Sequence, residues 1–140
     1  MAANPRSTPP LFTFAAQVNR VVTTLYLAIN YLGDEGVSAI ASALHDNAAL
    51  TKLNLKNNSV GSAGAKALTS ALQVNKTVTS LQLGENKLGD EGATAIAEAL
   101  KTNAMLNKLS LQACCIRDDG AVALSESIKF NKSLNFQLLG

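Results

Sequence analysis

The sequence is poor in the side chains that most chemistry uses: no tryptophan, a single histidine (His45), two cysteines and 4% aromatic residues. So little imidazole leaves general acid–base catalysis without its usual agent, and so few rings leave a nucleic-acid partner without stacking platforms. Charge is sparse and balanced, with twelve Lys and Arg against ten Asp and Glu for a net +2, too weak a footprint for nucleic acid. No apolar run reaches the roughly 20 residues of a membrane span. Cys114 and Cys115 are adjacent, and neighbours on an extended chain point to opposite faces, which is poor geometry for a disulfide. The expectation is a cytoplasmic, reducing setting with no cofactor, metal, membrane or nucleic acid. At 140 residues and 47% hydrophobic content the chain suits one domain. Residues 1–9, rich in proline, are expected to be a disordered tail, and residues 10–140 a single domain.

What the sequence has is repetition. Leu25, Leu53, Leu81 and Leu109 are spaced by 28 residues, and their surroundings recur in register. Three positions before them stand Val22, Leu50, Val78 and Leu106, and two positions after them Leu27, Leu55, Leu83 and Leu111. Asn30, Asn58, Asn86 and Cys114 follow, then Leu32, Val60, Leu88 and Ile116. The second halves repeat too, as LGDEGVSAIASAL, VGSAGAKALTSAL, LGDEGATAIAEAL and IRDDGAVALSESI. Four units result, 25–52, 53–80, 81–108 and 109–136, with partial units at both ends.

Each half has its own period. Leu81 and Leu83 alternate with Gln82 and Gly84, which predicts a short strand with one apolar face. Gly92, Ile96, Ala99, Leu100 and Asn103 recur at steps of three or four, which predicts a helix. Asp34, Ser62, Asp90 and Asp118 are expected to cap the helices they precede, and Asn30, Asn58 and Asn86 to satisfy backbone groups where the chain turns. Cys114 takes the asparagine slot, and Cys115 falls in the loop as the better candidate for an exposed thiol.

The pattern L-x-x-L-x-L-x-x-N/C-x-L resembles the leucine-rich repeats of the ribonuclease-inhibitor-like subfamily, also found in Ran GTPase-activating proteins and NOD-like receptors. The resemblance implies an α/β right-handed solenoid, an open horseshoe arc with a parallel β-sheet on the concave side and helices on the convex side. Strands ~4.8 Å apart and helices ~8–10 Å apart fit that shape, with a bend of about 20–25° per repeat.

No phosphate-loop or metal-ligand spacing occurs, since the glycines of Gly61-Ser62-Ala63-Gly64 belong to the repeat. His45 shares a slot with Gln73, Lys101 and Lys129 near a helix C-terminus, which predicts an exposed side chain. The outward strand positions vary while the inward ones stay fixed, so the candidate partner-binding residues are Tyr26, Lys52, Asn54, Lys56, Gln82, Lys108, Ser110 and Gln112. Lys52, Lys56 and Lys108 make this face mildly basic and suited to a protein with an acidic surface; solubilising side chains are the plain alternative. A non-catalytic interaction module or scaffold follows. A GTPase-activating protein acting on a Ran-like GTPase is the alternative from the same resemblance, although Arg117, the one arginine in the loops that follow the strands, stands where other repeats carry glycine. Phe136 and Leu138 are expected on the outward face of a fifth strand beginning at Gln137, with Phe14 exposed at the other end. Such apolar ends fit either a piece of a longer solenoid or association with another chain.

Overall fold

A computed structural model describes residues 19–137. Three-residue strands alternate with helices: β1 (Thr24–Tyr26), α1 (Gly33–Asp46), β2 (Lys52–Asn54), α2 (Ser62–Leu72), β3 (Ser80–Gln82), α3 (Gly89–Thr102), β4 (Lys108–Ser110), α4 (Asp118–Ile128) and β5 (Asn135–Gln137). All five strands form one parallel sheet in sequence order. Leu25, Leu53, Leu81 and Leu109 stand side by side in its register, as the spacing predicts. One face of the sheet is covered by the helices, each packed on the next. The core lies between, built from Leu53, Leu55, Leu81, Leu83, Leu109 and Leu111 of the strand segments and Ile40, Leu68, Ile96 and Leu124 of the helices. The chain is therefore a two-layer α/β solenoid. No described helix is long and apolar enough to cross a membrane. Phe14 and Leu138, and the tail assigned to residues 1–9, lie outside the described residues.

Strands this short close few ladder bonds, and asparagine side chains supply the remainder. Asn86 Oδ1 accepts from the backbone N–H groups of Asn58 and Val60 in the preceding repeat. Its Nδ2 donates back to the carbonyl of Leu55 and to those of Leu83 and Gly84 in its own repeat. Asn58 does the same one repeat earlier, accepting from Asn30 and Leu32. In the fourth copy the Cys114 thiol donates to the Leu83 carbonyl at 3.0 Å.

A second asparagine ladder runs at the other end of the strands. Asn103 fits the helical spacing, yet it is the extended residue that ends α3. Its Oδ1 accepts from Met105 and Leu106, while its Nδ2 donates to the Leu72 carbonyl at the end of the previous helix. Asn75 and Asn131 repeat this on Leu44 and Leu100. Helix-end carbonyls that have no intrahelical partner are thus satisfied by the next repeat.

Two expectations are corrected. The aspartates do not cap their own helices: Asp34 Oδ1 accepts from Gly61 and Gly64 at the start of α2, and Asp90 Oδ1 from Arg117 and Gly120 at the start of α4. Side-chain capping bonds within a helix are absent in all four, Ser62 and Asp118 included. The carboxylate reaches across because Gly64 and Gly120 have no Cβ; one added there would come within 2.7 Å of it. The scheme alternates, since α1 and α3 start instead at Gly33 and Gly89, with φ of +64° and +65°. Arg117 matches Gly61, whose φ is negative, so an arginine is tolerated in that slot.

The fifth strand is the second correction. Phe136, not Gln137, pairs with Leu109, because β5 starts one residue after Leu134 whereas β4 starts two after Leu106. Phe136 therefore takes the inward leucine's register position, not an outward one. On α4, Ile128 is 44% exposed, where Leu100 in the same slot of α3 is 1% exposed, since no described element packs beyond the last helix.

Replacing Asn86 by alanine strands two buried N–H groups and the Leu55 carbonyl, while the Leu83 and Gly84 carbonyls keep Cys114 and Asn57 as donors, and is expected to cost about 3–5 kcal/mol in chemical denaturation. Asn30→Ala, at the exposed start of the ladder, is expected to cost about 1 kcal/mol or less. Equal losses would mean the ladder is not what binds one repeat to the next.

Candidate functional site

The sheet's outer face carries the eight candidate residues in three adjacent rows. Thr24, Lys52, Ser80 and Lys108 share one register line, and Tyr26, Asn54, Gln82 and Ser110 the next. Past the strands proper, backbone bonds continue the pairing from Ile29 to Lys56, Asn57 to Gly84 and Glu85 to Gln112. Lys56 and Gln112 thus flank Gly84 in the third row. Gly84 is buried, and a Cβ on it would come within 2.9 Å of Gln112 Cγ, so the glutamine side chain lies across it. Asn54 Oδ1 accepts from the Lys56 N–H at 3.0 Å, which fixes that amide instead of leaving it free.

The three lysines are not equivalent. Lys56 Nζ sits 3.2 Å from Glu85 Oε1, both partly exposed. An ion pair so open to water adds little stability, but it offsets the charge of Lys56. Lys52 and Lys108 are exposed and pair with no carboxylate of the described residues. Net positive charge on this face therefore comes from two residues, at the edge where the strands begin.

The loop of the first repeat adds exposed residues that strand alternation alone does not single out. Tyr26 is 71% exposed, and close along the chain Ile29 and Tyr31 are exposed too, Tyr31 at 86%. Both loop residues hold left-handed backbones, φ 59° and 51°, as do Asn57, Ser59, Glu85, Ala113 and Cys115 in matching slots. A β-branched residue such as Ile29 adopts that conformation only against a steric cost, so the stacked turn imposes it. The large apolar side chains at the two slots of the first repeat, where the others carry Asn57, Glu85 and Ala113 or Ser59, Lys87 and Cys115, were the available signal.

Little else offers chemistry. His45 is exposed in the last turn of α1, 3.5 Å from Asp46 Oδ1. No three His, Cys, Asp or Glu residues among those described cluster as metal ligands. An open groove of about 410 Å³ between α1 and α2 is lined by small residues including Ser38, Ala41 and Ser70. Lys66 hydrogen-bonds Glu91 across α2 and α3, which holds the Glu91 carboxyl below its ordinary range.

Four segments of the chain, residues 18–41, 46–68, 74–97 and 102–125, match the family described as leucine rich repeat. The chain is a leucine-rich repeat protein. No curated protein matches its sequence. Among solved structures, one titled leiomodin-1 actin-binding site 2 is similar, with a TM-score of 0.81 and 23% identity over 94% of this chain and 83% of that one. The tropomodulin C-terminal domain of Caenorhabditis elegans is another, with a TM-score of 0.78 and 10% identity over 91% and 81%. At these identities the likeness is one of fold.

Both cysteines of this leucine-rich repeat protein are free, Cys114 buried and Cys115 exposed. Burial pushes the Cys114 thiol up, against a weaker downward pull from the backbone N–H of Asn86. A raised value leaves less thiolate at neutral pH, and thiolate is the reactive form. One equivalent of Ellman's reagent is therefore expected to react quickly in the native protein, lost on Cys115→Ser, with the second reacting only on unfolding. Fast reaction of both thiols would contradict the placement of Cys114.

Proposed function

We propose that this chain is a non-catalytic protein-interaction module of the ribonuclease-inhibitor-like type, taking a protein partner on the concave face of its sheet and the loops that follow the strands. The observation that carries it is the division within each strand. Inward positions are leucines locked in the core, while outward positions on the same three residues change from repeat to repeat and face solvent. A 28-residue unit with one strand and one full helix supports the subfamily. Tyr26, with the neighbouring Ile29 and Tyr31, supplies an apolar anchor of the kind that dominates interface energetics. Asn54, Gln82, Ser110 and Gln112 supply polar complementarity, with Lys52 and Lys108 at the edge. A cytoplasmic, reducing setting and a single domain over residues 10–140 complete the reading, supported by two free thiols and an unbroken stack of repeats.

The leiomodin-1 neighbour is titled an actin-binding site, which makes actin the first partner to test. The full chain is expected to shift labelled monomeric actin in sedimentation velocity. Tyr26→Ala combined with Asn54→Ala and Gln82→Ala is expected to weaken the complex about tenfold or more. Unchanged affinity in the triple variant would move the interface off this face. A turnover assay with a Ran-type GTPase is expected to show no acceleration; acceleration would favour the GTPase-activating alternative.

A further inference from the structure

The most uneven feature of the surface is its charge. Arg20, Lys76 and Lys132 occupy one slot of the loops that lead into the strands, the slot immediately after Asn19, Asn75 and Asn131. Lys52 and Lys108 open strands β2 and β4 on the same edge of the solenoid. The two sets alternate: the loop slot is basic where the strand slot is Thr24 or Ser80, and alanine (Ala48, Ala104) just before each lysine strand. All five cations are exposed, and none pairs with a carboxylate of the described residues. Asp46 stands at this end of α1, and Glu98 and Glu126 near the ends of α3 and α4 are each paired with a lysine of their own helix, Lys101 and Lys129. The acids gather at the opposite edge, in the first turns of α1, α3 and α4 and at Glu85. The asparagine ladder fixes the spacing, because Asn75 donates to the Asn47 carbonyl and Asn131 to that of Asn103.

From this we infer that the edge where the strands begin is a docking strip for an acidic protein segment, carried by Arg20, Lys52, Lys76, Lys108 and Lys132. The inference deepens the protein-binding reading and rests on it. Lys52 and Lys108 lie two strands apart, about 10 Å, close to the rise of about 11 Å over two turns of a helix. An acidic helix with carboxylates at i and i+7 therefore matches the strip in step as well as in sign. Val74, Met105 and Phe130 are exposed along the same edge and give such a segment separate apolar contacts. Apart from the Val21–Val22 pair beside Arg20, such residues stand singly, a small wedge for lipid, and a net charge of +2 gives little hold on a nucleic-acid polymer.

The test uses the full chain and a fluorescein-labelled helical peptide carrying Glu at every i, i+3, i+4 and i+7 position, read by fluorescence anisotropy. Lys76→Glu with Lys132→Glu, neither on the outer sheet face, is expected to raise the dissociation constant about tenfold. Lys87→Glu, on the opposite edge, is expected to leave it unchanged, and 300 mM salt to weaken binding to the wild type. No binding, or equal loss in both variants, overturns the strip. Equal or tighter binding to phosphatidylserine vesicles or to a single-stranded DNA of matched charge overturns the protein segment as its occupant. Actin binding by the wild type reports separately, so loss of one reading is not loss of the other.

Discussion

Three-residue strands joined by tight turns face a problem of unsatisfied backbone. Each unit buries the N–H and C=O groups at both ends of its strand, and neither the strand nor the helix closes those bonds alone. Asparagine solves this because one side chain holds both a donor and an acceptor. Asn58 and Asn86 knit the turns after the strands, while Asn75, Asn103 and Asn131 tie the turns before the strands to the preceding helix ends. Each repeat is therefore completed by the next one. The leucine core stabilises the stack, but the asparagines set its register, and register is what aligns the outward side chains in rows.

That dependence shapes the surface. Once inward slots are committed to leucine and turn slots to asparagine, the remaining freedom lies in outward strand positions and in loop positions next to each asparagine. Those positions carry Tyr26, Ile29 and Tyr31 in the first repeat, and the alternating cations at the opposite edge. The left-handed residues beside the asparagines show the same constraint from the other side, because the turn holds ordinary side chains in a conformation they disfavour. The fold leaves function to be written on a fixed grid.

How much of this was legible follows from the range of each interaction. The strand register of Leu53, Leu81 and Leu109 and the role of Asn58 and Asn86 were readable because identical residues recurred at identical spacing. The capping by Asp34 and Asp90 was misassigned because a carboxylate two residues before a helical glycine looks like a local cap, while its true partners lie 27 and 30 residues on. Asn103 was hidden by fitting the helical period it ends. The β5 register shifted because a single-residue shortening before the strand is invisible to a fixed period. At the candidate site the rows were legible, but the pairing of Lys56 with Glu85 was not, since it joins slots in adjacent repeats that no other copy pairs.

The stack's reliance on asparagine is most directly read by native-state hydrogen exchange. The amides of Asn58, Val60, Val78 and Leu106, which donate to asparagine side chains and not to the sheet ladder, are expected to exchange together with that of Leu81, as one cooperative unit. Exchange of those four at the rate of open loops, while Leu81 and Leu109 stay protected, would contradict the view that side-chain amides hold the repeats in register.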